Sequence, residues 1–152
     1  MVNVMKLPIL LTALLLSASP AVSKDYLYLR CKKSDDIVIT NSATSRIIGK
    51  RTKDVSSIFK IDLTKKTLTD ARAGYPQSFT VQNKTLIITY KVDNDQLKSS
   101  DVFKLNLMPP YSISSKGTAI VKAMNKSLST RGEGSCEEVD PSVFEKALNQ
   151  PN

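Results

Sequence analysis

Apolar and polar residues alternate along most of this chain. In "DYLYLRC", Leu27, Leu29 and Cys31 fall on one side of an extended strand, and Tyr26, Tyr28 and Arg30 on the other. "SIFKIDL" sets Phe59, Ile61 and Leu63 against Lys60 and Asp62. "FTVQNKTLIITYKV" holds two runs separated by Asn83-Lys84, and beyond that break Leu86, Ile88, Tyr90 and Val92 share a face. Asparagine tolerates positive φ, so a two-residue hairpin turn is predicted there. "DVFKLNLM" sets Phe103, Leu105 and Leu107 against Lys104 and Asn106. "GTAIVKAMNKSLST" predicts a strand from Thr118 to Met124, with Asn125-Lys126 as a second turn. Less regular strands are predicted at Ile37 to Thr40, Arg46 to Ile48 and Leu68 to Arg72. A period of two in segment after segment marks antiparallel strands with one wet face.

The period changes only in the tail, "VDPSVFEKALNQPN". Asp140 suits an N-cap, Pro141 the first helical position, and Glu145 adds negative charge towards the N-terminal side. Val143, Phe144, Ala147 and Leu148 recur at helical spacing, and Pro151 stops the run. The expected fold is all-β: a small antiparallel sandwich or open barrel of about seven or eight strands, with one short helix over 140–149 against a sheet edge or opening.

The first residues follow a different logic. "MVNVMKLPILLTALLLSASPAVSK" carries Lys6 as its only charge before Lys24, then an apolar run from Leu7 to Leu16 broken by Pro8 and Thr12, then Ala21-Val22-Ser23. That order of charge, apolar core and small residues is a secretory signal peptide over 1–23. A membrane span needs about 20 apolar residues, and this run is roughly half as long. Residues 24–152 are then expected to form one disulfide-clamped domain, secreted or periplasmic, with no membrane span after cleavage.

Export changes the meaning of the two cysteines. Outside the cytosol the default fate of two thiols is a disulfide. Cys31 and Cys136 have neither the close spacing of a metal site nor a redox CxxC. One bond between them would tie the first strand to the end of the domain and remove denatured-state entropy worth roughly 4.7 kcal/mol in the chain-entropy picture.

Composition excludes more chemistry than it suggests. The chain has no histidine, so Ser-His-Asp and Cys-His catalysis, HExxH zinc sites and imidazole acid–base work are absent. Gly132 and Gly134 in "GEGSC" lack the third glycine and the context of a nucleotide loop. Trp is absent, which weakens a sugar-stacking site. Glu137 and Glu138 adjoin the expected disulfide, and Asp140 caps a helix, so no carboxylate pair stands out for glycoside hydrolysis. No cofactor and no enzymatic constellation is implied. Asn83-Lys84-Thr85 and Asn125-Lys126-Ser127 match a glycosylation sequon, but both coincide with the predicted turns.

Charge is what remains, at a formal +8. Arg46, Lys50, Arg51 and Lys53 cluster in "RIIGKRTK". Lys60, Lys91, Lys104 and Lys122 each occupy the polar face of a predicted strand. Were those strands neighbours, the four ammoniums would make a basic band able to attract an anionic envelope component or acidic protein. The plainer alternative is that one lysine per exposed strand solvates the sheet and blunts edge pairing. Nucleic acid is a poor candidate, given export and the lack of a reader motif.

The combination of "DYLYLRC", "FKIDL", "GEGSCEEVDPSVFEKALNQ" and a signal peptide resembles uncharacterised small secreted proteins of marine cyanobacteria. The resemblance spans most of the mature chain and is sharpest over its last 20 or so residues. It implies compartment and fold and transfers no site. The clamped β scaffold is also generically similar to periplasmic lysozyme inhibitors, with no inhibitory motif matched. The expected function is an exported, non-catalytic binding or envelope-interaction domain, with an inhibitor of an extracellular hydrolase as one variant. The alternative is a lipocalin-like carrier, which a cavity of several hundred Å³ would support and a filled interior would oppose.

Overall fold

The computed structural model describes residues 25–150; the signal peptide expected over 1–23 and Pro151, expected to stop the helix, lie outside the described residues. The strands are β1 (Tyr26–Asn41), β2 (Ile47–Asp62), β3 (Thr67–Asp70), β4 (Pro76–Ser78), β5 (Thr80–Gln82), β6 (Thr85–Asp93), β7 (Leu97–Asn106), β8 (Ser112–Val121) and β9 (Lys126–Glu138). A 3-10 turn, Lys122–Met124, joins the last two, and helix α1 (Pro141–Leu148) follows.

All neighbours pair antiparallel in the order β4-β3-β2-β1-β9-β8-β7-β6-β5. β4 and β5 are consecutive pieces of one stretch, broken at Phe79. The two ends of the sheet are therefore the same piece of chain, and the sheet is a nearly closed up-and-down barrel. Phe79 bridges the break: its ring is buried and its N–H donates to the Lys66 carbonyl at 3.0 Å.

Alternation dictates what fills the barrel. Leu29, Ile61, Leu86 and Leu105 are fully buried at one end, with Leu27, Leu68 and Phe79 around them. Each such side chain contributes about 1.5–3 kcal/mol through burial. The other end is open. β3 pairs only with Phe59–Asp62 of β2, and β5 only with Thr85–Ile87 of β6. Beyond those points β2 and β6 have free edges, and the long strands continue as a curled, open sheet.

Cys31 and Cys136 are bonded. They are directly paired residues of β1 and β9, with Cα atoms 4.0 Å apart, so the clamp spans the seam where the first and last strands meet. The expected two-residue turn at Asn83-Lys84 is present, with φ of 49° and 62°. The second expected turn differs: the strand ends at Val121, Lys122–Met124 coil as a 3-10 turn, and Asn125 closes it with φ 48°. Two pairs of expected short strands are really single long ones, β1 and β2.

Asp140 caps α1, its side chain accepting the Ser142 N–H at 2.9 Å, while Glu145 falls beyond the first turn. Phe144 is buried with its ring 5.9 Å from that of Tyr28. Tyr28 points outward from β1, so the helix packs on the outer wall.

Candidate functional site

The lysines of the wet face do not form one band. Lys91 and Lys104 project from the outer wall on β6 and β7. Lys60 projects from β2, but β1, β9 and β8 stand between β2 and β7, about 19 Å along the sheet at ordinary strand spacing. Its ammonium lies over the Tyr26 ring, 4.9 Å from the centroid. Lys122 is on no strand. Its Nζ donates to the Asn94 carbonyl at 2.6 Å and lies 3.8 Å from Asp93 Oδ1. The three intervening strands remove Lys60 from the expected band, and the early turn removes Lys122.

The "RIIGKRTK" cluster runs along the free edge of β2 and is split by alternation. Lys50 pairs with Val38 on the outer wall, Arg51 and Lys53 pair with Ile37 and Asp35 on the inner face, and Arg46 precedes the strand. Charge on an unpaired edge opposes edge-to-edge association.

A different cationic group does converge. Lys104 on β7, Lys116 on β8 and Arg131 on β9 line a shallow concavity of about 590 Å³ on the outer wall, together with Ser100, Ser114 and Thr118. Lys116 and Arg131 are directly paired. Lys104 pairs with Ser114, one diagonal step from Lys116. Directly opposite residues have Cβ atoms about 5 Å apart and diagonal ones about 7–8 Å. The lining holds one carboxylate, Glu133, which accepts from Arg131 Nη2 at 2.8 Å and raises the guanidinium pKa further. Among the described residues Lys104 and Lys116 take part in no ion pair. Like charges directly opposite are destabilising; Glu133 offsets part of this at Arg131, while the Lys104 and Lys116 ammoniums have no carboxylate against them among the described residues. Lys116 and Arg131 gave no sequence signal, because the inner positions beside them are Ser115, Gly117, Thr130 and Gly132 rather than an apolar series.

A second concavity lies inside the barrel at its open end, about 270 Å³ in volume. Phe59, Leu68, Ile88, Phe103 and Ile113 form its apolar floor, the Phe59 and Phe103 rings meeting edge-on at 5.8 Å. Asp70, Gln77 and Tyr90 give it a polar mouth. The Tyr90 hydroxyl donates to Gln77 Oε1. Partial burial, with the Tyr75 phenol and the Asp70 carboxylate nearby, raises the Tyr90 pKa.

Beside this cavity lies a buried polar network. Lys33 Nζ is 2.8 Å from Asp35 Oδ1 and donates to Ser115 Oγ at 2.7 Å; Ser115 in turn donates to Asp35 Oδ1 at 3.3 Å. β9 runs between β1 and β8, and Gly132 leaves the space through which Asp35 reaches Ser115: a Cβ there would lie 1.8 Å from Asp35 Oδ1.

No protein-family model, curated protein or solved structure matches the chain. Among the described residues no helix is long and apolar enough to cross a membrane, and no three His, Cys, Asp or Glu residues are grouped to hold a metal ion.

Proposed function

We propose that this chain is an exported, non-catalytic binding domain that recognises an anionic envelope component through the outer wall of β7, β8 and β9. The intramolecular disulfide supports export. The observation that carries the reading is the cross-strand pairing of Lys116 with Arg131, in a hydroxyl-lined concavity that also contains Lys104. An oxyanion-bearing polymer would relieve the repulsion, and the serine and threonine hydroxyls would donate to its oxygens. Among the described residues no aromatic ring lines the concavity, so charge rather than stacking governs what it holds.

Retention on immobilised dextran sulfate, with neutral dextran as reference, tests this. Retention should fall steeply with salt, since exposed charges are screened within about 8 Å at physiological ionic strength. Reversing Lys104 and Lys116 to glutamate should abolish it. Reversing Lys50 and Lys53 instead makes the same change in net charge and should leave most of it. Equal loss in both double variants would mean that net charge alone drives retention, and the site would be rejected.

A further inference from the structure

We infer that the open end of the barrel is a second, separate binding site, and that its ligand is a small neutral molecule: one ring or short branched chain carrying a single hydroxyl. The cavity's volume of about 270 Å³ lies just under the usual range of ligand pockets, which limits the occupant to one ring. The floor supplies two aromatic and three aliphatic side chains, with Phe59 and Phe103 already edge-on. The mouth supplies the Tyr90–Gln77 hydrogen bond, which offers the Tyr90 oxygen as acceptor and the Gln77 amide as donor to a ligand hydroxyl.

The same walls disfavour charge. Asp70 lies at the mouth and opposes an anion. Lys33 lines the cavity, but its ammonium is taken by Asp35 and Ser115 at 2.8 and 2.7 Å, so it is a poor counter-charge. A cation would lose its hydration against the apolar floor. The site is independent of the outer wall: Lys104, Lys116 and Arg131 face the other way from the same sheet.

Three probes of one shape separate these contributions: p-cresol, toluene and 4-methylbenzoate. Each is titrated into the disulfide-bonded protein while the methyl resonances of Ile88 and Ile113 are followed, with exposed Ile47 as reference. The expected result is saturable shifts at Ile88 and Ile113 with p-cresol, weaker binding of toluene, and binding of 4-methylbenzoate weaker by roughly tenfold or more. Val55→Phe should fill the mouth and remove binding; Ile113→Phe does so from the floor if the first variant folds poorly. Tyr90→Phe should erase the preference for p-cresol over toluene while toluene still binds. Unchanged methyl resonances at millimolar probe overturn the site. Tighter binding of 4-methylbenzoate than of p-cresol overturns the neutral ligand and leaves the cavity standing. Neither result bears on retention by dextran sulfate.

Discussion

Cys31 and Cys136 face each other across β1 and β9, the strands through which the two ends of the chain complete the barrel. Without the bond, this seam is held by ladder hydrogen bonds and by the exposed Arg30–Glu137 ion pair at 3.2 Å, and these join residues far apart in sequence. Loop closure of that length is entropically costly, and the disulfide removes it from the folding reaction.

Replacing either cysteine with serine should therefore lower stability by a few kcal/mol, up to about 4–5 in the chain-entropy picture. Denaturant midpoints of the parent and the Cys136→Ser variant, measured without reductant, give the difference. Alkylation of the parent in denaturant should label neither thiol. Free labelling of both would show that the clamp does not form.

The glycines of the inner face should tolerate alanine in a set order. At Gly134 a Cβ would lie 2.0 Å from the Lys32 carbonyl oxygen, which is backbone and cannot swing away. At Gly132 it meets Asp35 Oδ1, the end of a short side chain held by Lys33. At Gly117 it meets Asp101 Oδ1 at 1.8 Å, but Asp101 is exposed and free to rotate. Overpacking costs about 1–3 kcal/mol and sometimes more. Gly134→Ala should exceed that range, Gly132→Ala should fall within it, and Gly117→Ala should cost less than about 1 kcal/mol. A chemical-denaturation series on the three variants settles the order.

These glycines also explain what alternation could and could not reveal. Leu27, Leu29, Cys31, Phe59, Ile61, Leu86, Ile88, Phe103 and Leu105 all face inward on the strands their spacing announces. Beyond Ile113, the middle of β8 carries no such pattern, and neither does the stretch of β9 paired with it. Their inner positions hold Ser115, Gly117, Gly132 and Gly134, because Asp35, Asp101 and the β1 backbone occupy the space in front of them. A strand whose neighbours fill its share of the interior needs no apolar series of its own. Lys116 and Arg131 were hidden with it. The disulfide was legible because two cysteines allow only one intramolecular pairing, and the Asp140 cap because it depends on local chemistry, whereas the basic surface depends on which strands are neighbours, and one sequence does not fix that.

Docking of α1 should weaken in acid. The Ser142 hydrogen bonds hold the Asp140 pKa below its ordinary value of 3.8. The carboxylate then contributes to stability above that value, and the contribution is lost as pH falls through the depressed value in the folded state. Protection of the Val143 and Phe144 amides, taken relative to the intrinsic exchange rate at each pH, should fall over that acidic window. Asp140→Asn retains an acceptor that does not titrate, so this cap's share of the fall should vanish. Asp140→Ala should show low protection on both sides of the window. An identical pH profile in the parent and Asp140→Asn would assign the effect to another group.

The buried network gives the sharpest contrast between removing one partner and removing both. Lys33 and Asp35 side chains are 15% and 13% exposed, so neither charge has much water to fall back on. Lys33→Met leaves the Asp35 carboxylate with one hydroxyl donor, from Ser115. Asp35→Leu leaves the ammonium with one acceptor. Breaking a buried pair from one side costs about 3–5 kcal/mol, while replacing both partners by apolar groups of similar volume is often neutral. The Lys33→Met/Asp35→Leu double variant should therefore be more stable than either single variant, with a coupling energy in the upper part of the roughly 0.5–3 kcal/mol range. Equilibrium unfolding of the four proteins completes the cycle. Additive losses would mean that the two side chains contribute separately, through packing, and that the 2.8 Å contact carries little of the barrel's stability.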